Sequence, residues 1–254
     1  MSILAEIVER RRQRVEREGA ALGFSLPAHR ALPVVPFGQP PFLICEIKRR
    51  SPSRGDLAPD LDPAALARAY EAGGAACLSV LTDARFFGGS PADLEVARAA
   101  VALPVLRKDF TVGPRDVCDA RLMGADAVLL IAAVLAGGLL ADLVELTGRL
   151  GMAALVEVHD GDELERALAA GATVVGVNQR DLRTFAVDRD LAARLAPSFP
   201  AGVIGVAESG IRDAADAARL AAAGYRALLV GESLVTAADP RGAVAALAGA
   251  GVAA

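Results

Sequence analysis

The segment "PFLICEIKRR", residues 41–50, is apolar until Glu46 and Lys48 place a carboxylate and an ammonium two residues apart near its end. Side chains alternate along an extended strand, so Glu46 and Lys48 share a face with Phe42 and Ile44, while Cys45 and Ile47 take the other. The pattern recurs down the chain. "PVLRKDF" ends with Lys108 in phase with Leu106, and "ALVEVH" carries Glu157 in phase with Leu155. "VVGVNQRD" supplies Asn178 and Arg180, and "IGVAESG" supplies Glu208 and Ser209. One isolated buried charge is too costly to keep. Acids and bases converging from several strands can instead neutralise one another around a polar substrate.

Glycines accompany the charges. "ESGI" and "VGES" place Gly210 and Gly231 just beyond two apolar runs, where backbone N–H groups can closely approach an anion, and their pairing points to a phosphate. The loop "RRSPSRGDLAP" is small, basic and turn-rich, which suits a lid whose Ser51 contacts an anionic ligand. His159 follows Glu157 in phase but sits just before "DGDELERAL", where a helix begins, so a loop or supporting role is expected for it.

These groups need elements to position them. Apolar, β-rich runs predict strands near 42–48, 77–82, 104–108, 127–132, 153–158, 174–178, 203–208 and 227–231. Between them lie helix-period stretches such as "DPAALARAYEAGG" and "IRDAADAARLAAAGY", opened by Asp, Ser or Pro and mostly closed by Gly. "GADAVLL", "GATVVGV" and "GYRALLV" repeat one helix-to-strand junction. Eight near-continuous apolar strands alternating with helices predict a parallel sheet closed into a single (β/α)8 TIM barrel of α/β class, with an open doubly wound sheet as the alternative. Chemistry then gathers at the C-terminal strand ends, where the charges lie.

Residues 42–254 are expected to form the barrel as the catalytic domain. Residues 1–41 are expected to form an N-terminal helical extension, with Ile3, Leu4, Ile7, Val8 and Val15 on overlapping turns, followed by the proline-rich connector "PVVPFGQPP". Arg10, Arg11, Arg12, Arg14 and Arg17 alternate with Glu9, Glu16 and Glu18, the composition of a solvated helix face.

Composition narrows the function. A net charge of −4 and 4% aromatics with no tryptophan disfavour a nucleic-acid partner. Charge or glycine interrupts every apolar run before a bilayer-spanning length, so no membrane association is expected. The charged N-terminus has no secretory pattern, which points to a cytoplasmic protein. Cys45, Cys77 and Cys118 lie far apart, and His29 and His159 are the only histidines, so no metal is expected and the thiols are read as buried hydrophobes. Oligomeric state is open, with a monomer favoured.

"EIKRRSPSRG", "SVLTDARFFGGS", "PVLRKDF", "LVEVH", "VGVNQRDLRTF", "ESGI" and "LVGESL" together resemble the successive signatures of the indole-3-glycerol-phosphate synthase family. The resemblance covers essentially the whole chain. It implies closure of the indole pyrrole ring without a cofactor: 1-(2-carboxyphenylamino)-1-deoxyribulose 5-phosphate goes to indole-3-glycerol phosphate with loss of carbon dioxide and water. It casts Lys108 as the acid that protonates the developing alkoxide, with Lys48 depressing and Glu157 raising its pKa, a balance that sequence leaves open. Lys48 would neutralise the substrate carboxylate and serve as acid in the dehydration. Glu157 would stabilise a cationic intermediate or accept a proton, and Glu46 is the other candidate base. Asn178 and Ser209 would orient substrate, Arg180 would pair with an anionic group, and Glu208 would hold the lysines. Gly210, Gly231 and Ser51 would receive the phosphate, and Phe87 would pack on the anthranilate ring.

"NQRDL" departs from a family pattern of two successive asparagines, and Gln179, out of phase with Asn178, is expected to matter little. Two alternatives remain. A phosphoribosylanthranilate isomerase-like barrel would need a cysteine base on the first strand, whereas Cys45 has the outward phase. A non-catalytic phosphometabolite-binding barrel would have no use for Lys48, Lys108 and Glu157.

Overall fold

A computed structural model describes residues 42–251, together with residues 5, 6, 8–10 and 13 ahead of them. Those few N-terminal residues are helical; Val8 is buried against the core, and Arg10 pairs with Glu6 at 3.1 Å on an exposed face. The proline-rich connector, Arg11, Arg12, Arg14, Arg17, His29, most of the extension's apolar positions and residues 252–254 lie outside the described residues.

The strands are β1 Phe42–Ile47, β2 Cys77–Leu81, β3 Val105–Lys108, β4 Ala127–Ile131, β5 Ala153–Val158, β6 Val174–Asn178, β7 Ile204–Glu208 and β8 Ala227–Val230. All neighbouring pairs are parallel, and β8 pairs back onto β1, with Phe42 opposite Ala227. The sheet is therefore closed, which removes the open-sheet alternative, and each expected strand is met to within one residue at either end. Closure also removes both sheet edges, so every strand finds hydrogen-bond partners on two sides.

Around the barrel run α1 Pro63–Gly73, α2 Pro91–Ala100, α3 Pro114–Leu122, α4 Leu139–Arg149, α5 Gly161–Ala169, α6 Leu191–Leu195, α7 Ala214–Ala222 and α8 Pro240–Gly251. Their starts are set by side chains that accept orphan N–H groups: Asp62 for α1, Ser90 for α2, Asp160 for α5 and Asp213 for α7. The repeated junction glycines take left-handed backbone, with φ of 93° at Gly124 and 106° at Gly224, a conformation that side-chain-bearing residues rarely adopt. Each helix buries one stripe; α4, for example, covers the sheet with Leu140, Leu143 and Thr147.

Ile44, Leu106, Leu129 and Leu155 are buried in phase with the charged strand ends and fill the barrel beneath them. Cys45, Cys77 and Cys118 are free and buried, as expected for small hydrophobes. Among the described residues no helix is long and apolar enough to cross a membrane.

The opposite end of the barrel is tied by Asp126. Its side chain accepts the Val105 N–H at 2.9 Å and pairs with Arg98 of α2, while its backbone N–H donates to Val105 O at 2.8 Å. This ion pair is nearly dehydrated, so removing one partner leaves a buried charge poorly compensated. Asp126→Ala should lower unfolding free energy by about 3–5 kcal/mol in urea titrations, and an unchanged denaturation midpoint would contradict this account.

Candidate active site

The C-terminal mouth of the barrel opens into a cavity of about 630 Å³. All twelve residues singled out from sequence line it: Glu46, Lys48, Ser51, Phe87, Lys108, Glu157, Asn178, Arg180, Glu208, Ser209, Gly210 and Gly231. They arrive from β1, β3, β5, β6 and β7 and from the loops that follow β1, β2, β6, β7 and β8, the strand residues on the inward phase.

Lys108 is the centre. Its Nζ lies 2.7 Å from Glu208 Oε2 and 3.1 Å from Glu157 Oε2. Burial works against a charged ammonium here, but Glu208, Glu157 and Glu46 outweigh it and raise the Lys108 pKa above the ordinary lysine value. The balance that sequence left open thus falls to the carboxylates. Lys48 is occupied elsewhere, 2.6 Å from Glu46 Oε1. Glu208 accordingly holds Lys108, and Glu46 holds Lys48, where sequence assigned both lysines to Glu208.

The two acids facing Lys108 are driven apart. Burial favours neutral Glu157, but Lys108, followed by His159 and Asn178, holds its carboxyl below the usual range. Burial pushes Glu208 up to about 7; Lys108 opposes this, and the charge on Glu157 adds to it. Two neighbouring carboxyls therefore differ in proton affinity, an arrangement able both to donate and to accept protons.

Missing side chains make room for this cluster. Gly176 on β6 lies opposite Glu157, and a Cβ there would come within 2.0 Å of Glu208 Oε1. A Cβ on Gly231 would meet Glu46 Oε1 at 2.4 Å and Lys48 Nζ at 3.1 Å. Gly231 thus accommodates an ion pair in addition to the anion expected there from sequence, a second demand that sequence alone did not supply.

On the rim, Ser209 adopts φ of 66° and Gly210 φ of 73°, a left-handed pair rare for serine. Ser209 Oγ donates to Asn178 Oδ1 at 2.8 Å, and Gln179 Nε2 donates to Ser209 O at 2.8 Å. The expectation that Gln179 matters little needs revision on this point. It does face away from the cavity, yet its buried amide braces the turn that shapes the rim. Gly231 begins a short helix, Glu232–Val235; its carbonyl accepts the N–H groups of Leu234 and Val235, whereas those of Glu232 and Ser233 precede any intrahelical acceptor.

The first loop forms a two-residue antiparallel ladder, Arg50–Ser51 against Gly55–Asp56, and turns Ser51 inward. Arg54 reaches Glu232 at 2.9 Å, and Arg180 reaches the other oxygen of Glu232 at 3.7 Å. Phe87 pairs with Phe110 at a centroid separation of 6.3 Å, giving the cavity an aromatic wall. Sequence reasoning missed Phe110, Glu232 and Ser233, although each adjoins a quoted motif residue, in "KDF" and "GES". Among the described residues no group of three or more His, Cys, Asp or Glu is arranged to hold a metal ion.

Two predictions follow from the packing around Glu208. Gly176→Ala should cost about 1–3 kcal/mol by overpacking, and combining it with Glu208→Ala should cost less than the sum; strict additivity would refute the steric account. The second concerns pH. The folded protein keeps the Glu208 proton up to about 7, while the unfolded chain releases it near 4.5, so ionisation of Glu208 subtracts stability as pH rises through that window. The melting temperature of Glu208→Gln should therefore gain on wild type between those two values and run parallel above them; parallel curves throughout would oppose the assignment.

Comparison with known proteins places the chain in a family. The family model for indole-3-glycerol phosphate synthase matches residues 4–247. A curated relative of that name from Mycobacteroides abscessus is 57% identical over 209 residues, spanning 82% of this chain and 77% of the relative. Another from Parafrankia sp. is 59% identical over 209 residues, spanning 82% and 78%. Among solved structures, thiamine phosphate pyrophosphorylase from Pyrococcus furiosus aligns over 83% of this chain and 95% of its own, with a TM-score of 0.62 and 17% identity, a likeness of fold alone. By the family model and these relatives, this chain belongs to the indole-3-glycerol phosphate synthase family.

Proposed function

We propose that this chain catalyses the reaction for which its relatives are named, the closure of the indole pyrrole ring in tryptophan biosynthesis. Its phosphorylated substrate would be 1-(2-carboxyphenylamino)-1-deoxyribulose 5-phosphate, and the product indole-3-glycerol phosphate with release of carbon dioxide and water. This makes it a carboxy-lyase. The reading includes residues 42–254 as the catalytic domain, residues 1–41 as an extension, and a cytoplasmic setting.

One observation carries the proposal. The Lys108 ammonium, hydrogen-bonded to two carboxylates, sits in a cavity whose rim carries Ser51, Gly210 and Gly231. In the condensation, the aromatic carbon bearing the carboxylate attacks the ribulose carbonyl carbon, and the carbonyl oxygen gains negative charge. Lys108, charged throughout the physiological range, donates its proton to that oxygen. Loss of carbon dioxide returns the bonding pair to the ring. Departure of the hydroxyl as water, with proton loss from the adjacent carbon, completes the pyrrole.

Lys48 would neutralise the substrate carboxylate until it leaves and assist the dehydration, with Glu46 holding it at 2.6 Å. Glu157 would stabilise the cationic intermediate or take up the proton. Glu208 would align Lys108. Asn178 and Ser209, already hydrogen-bonded to each other, would orient the sugar hydroxyls, and Arg180 would meet an anionic group of the substrate. Phe87 would stack on the anthranilate ring beside Phe110. Cys45 is fully buried, and burial raises its thiol pKa well above the ordinary value, which disfavours the isomerase alternative and its cysteine base.

Purified protein given the carboxyphenylamino-deoxyribulose phosphate should develop indole absorbance and fluorescence without added metal or nucleotide; no turnover would favour a binding barrel instead. Lys108→Ala should lower kcat by about a hundredfold or more with little change in substrate binding. Lys48→Ala should impair kcat and KM together. Wild-type turnover in either variant would refute its assigned role.

A further inference from the structure

Behind Glu157, on the side away from Lys108, the alternation of charge continues. His159 occupies the turn between β5 and α5, with its side chain 15% exposed. Nδ1 lies 3.1 Å from Glu163 Oε2, and the same oxygen accepts the His159 backbone N–H at 2.8 Å. Nε2 lies 3.4 Å from Glu157 Oε1, a charge contact just outside a full hydrogen bond, and this buried nitrogen has no hydrogen-bond partner. Glu163 is itself fixed in the first turn of α5, where its N–H donates to Asp160 Oδ1 at 2.8 Å. The result is a continuous line, Glu163–His159–Glu157–Lys108–Glu208, running from a helix start into the barrel centre.

Among the described residues, only Glu157 and Glu163 pair with the His159 ring. Asn178 on β6 meets Glu157 through a neutral amide. Arg166 of α5 donates to the carbonyls of Ala132 and Leu135 beyond β4. Lys108 on β3 lies on the far side of Glu157, against its other oxygen. Glu157 and Glu163 are the charged groups that act on the ring.

We propose that His159 is a positioning residue for the reaction: its imidazolium, gripped by Glu163, pins Glu157 Oε1 and so keeps Oε2 ionised and aligned on the Lys108 ammonium. The effect on turnover rests on the cyclisation reading above; the clamp itself does not. A neutral ring in this place could give Nε2 or Nδ1 a proton but not both, and one of the two flanking carboxylates would then face a lone pair. Burial disfavours charge on the ring, but the flanking carboxylates of Glu157 and Glu163 overcome it and raise its pKa to about 10. The charged form therefore persists across the physiological range, and His159 here would serve as a fixed cation rather than a proton shuttle.

The test has two parts. In ¹H–¹⁵N spectra of the imidazole rings, which the presence of only two histidines makes assignable with one His159→Asn sample, the His159 ring should carry both protons at pH 8. Glu163→Gln, which keeps an acceptor for the backbone N–H but removes the charge, should lower the ring's pKa. In steady-state kinetics, His159→Asn should lower kcat by about tenfold, leave KM within about twofold, and move the acid limb of the kcat profile to higher pH, because Glu157 loses its second cation. A neutral ring at pH 8 in wild type, or an unaltered kcat and acid limb in a folded His159→Asn protein, would overturn the proposal. Should His159→Asn fail to fold, the wild-type titration and the Glu163→Gln shift decide it. Wild-type protein inert toward the substrate would sink the cyclisation reading alone and leave the ring titration to judge the clamp.

Discussion

Everything at the mouth of this barrel depends on keeping ionised groups where water is scarce. The Lys108 ammonium donates to Glu157 at 3.1 Å and to Glu208 at 2.7 Å in a largely dehydrated cluster. The cost of stripping water from any one of them would exceed what a single partner returns. Mutual pairing, extended on one side by His159 and Glu163 and accompanied by the Glu46–Lys48 pair, spreads that cost over groups of alternating sign. Such a cluster is also the environment in which a proton can be exchanged during a reaction without large rearrangement of solvent.

The backbone is shaped around this constraint. Glycine at positions 176 and 231 leaves space that Glu208 and the Glu46–Lys48 pair then fill, so the cluster requires residues without side chains as well as charges. Rigid strand ends hold the acids and bases, whereas the rim is made of loops: the left-handed turn at Ser209 and Gly210, and the first loop, tied down through Arg54 and Glu232. That division suits a site whose chemistry needs fixed geometry and whose substrate must still enter. It also separates the site from the far end of the barrel, where Asp126 and Arg98 secure the strands.

Relatives covering most of this chain share the indole-3-glycerol phosphate synthase name, while solved barrels at 17% identity share only the architecture. The difference is instructive, because the barrel itself hosts many chemistries. In this chain the inner phase carries Glu46 on β1, Lys108 on β3, Glu157 on β5 and Glu208 on β7, with the neutral amide of Asn178 on β6.

Much of this was already determined by the sequence. Strand alternation settled which side chains face inward, so the inward direction of Glu46, Lys108, Glu157 and Glu208 followed from position alone, and the eight-fold repeat of strand and helix implied a closed barrel. The resemblance of the motifs then implied the chemistry. Only the tertiary structure decided which charges pair. Glu208 reaches Lys108 because closure brings β7 and β3, remote in the chain, to one centre, while Glu46 keeps its near neighbour Lys48; the carboxylates so gathered raise the Lys108 pKa, and burial raises that of Glu208. The bracing role of Gln179, the double demand on Gly231 and the line from Glu163 through His159 to Glu157 were hidden for the same reason. A one-dimensional pattern specifies the face on which a residue lies, whereas the partner it meets there depends on how the strands are staggered when the sheet closes.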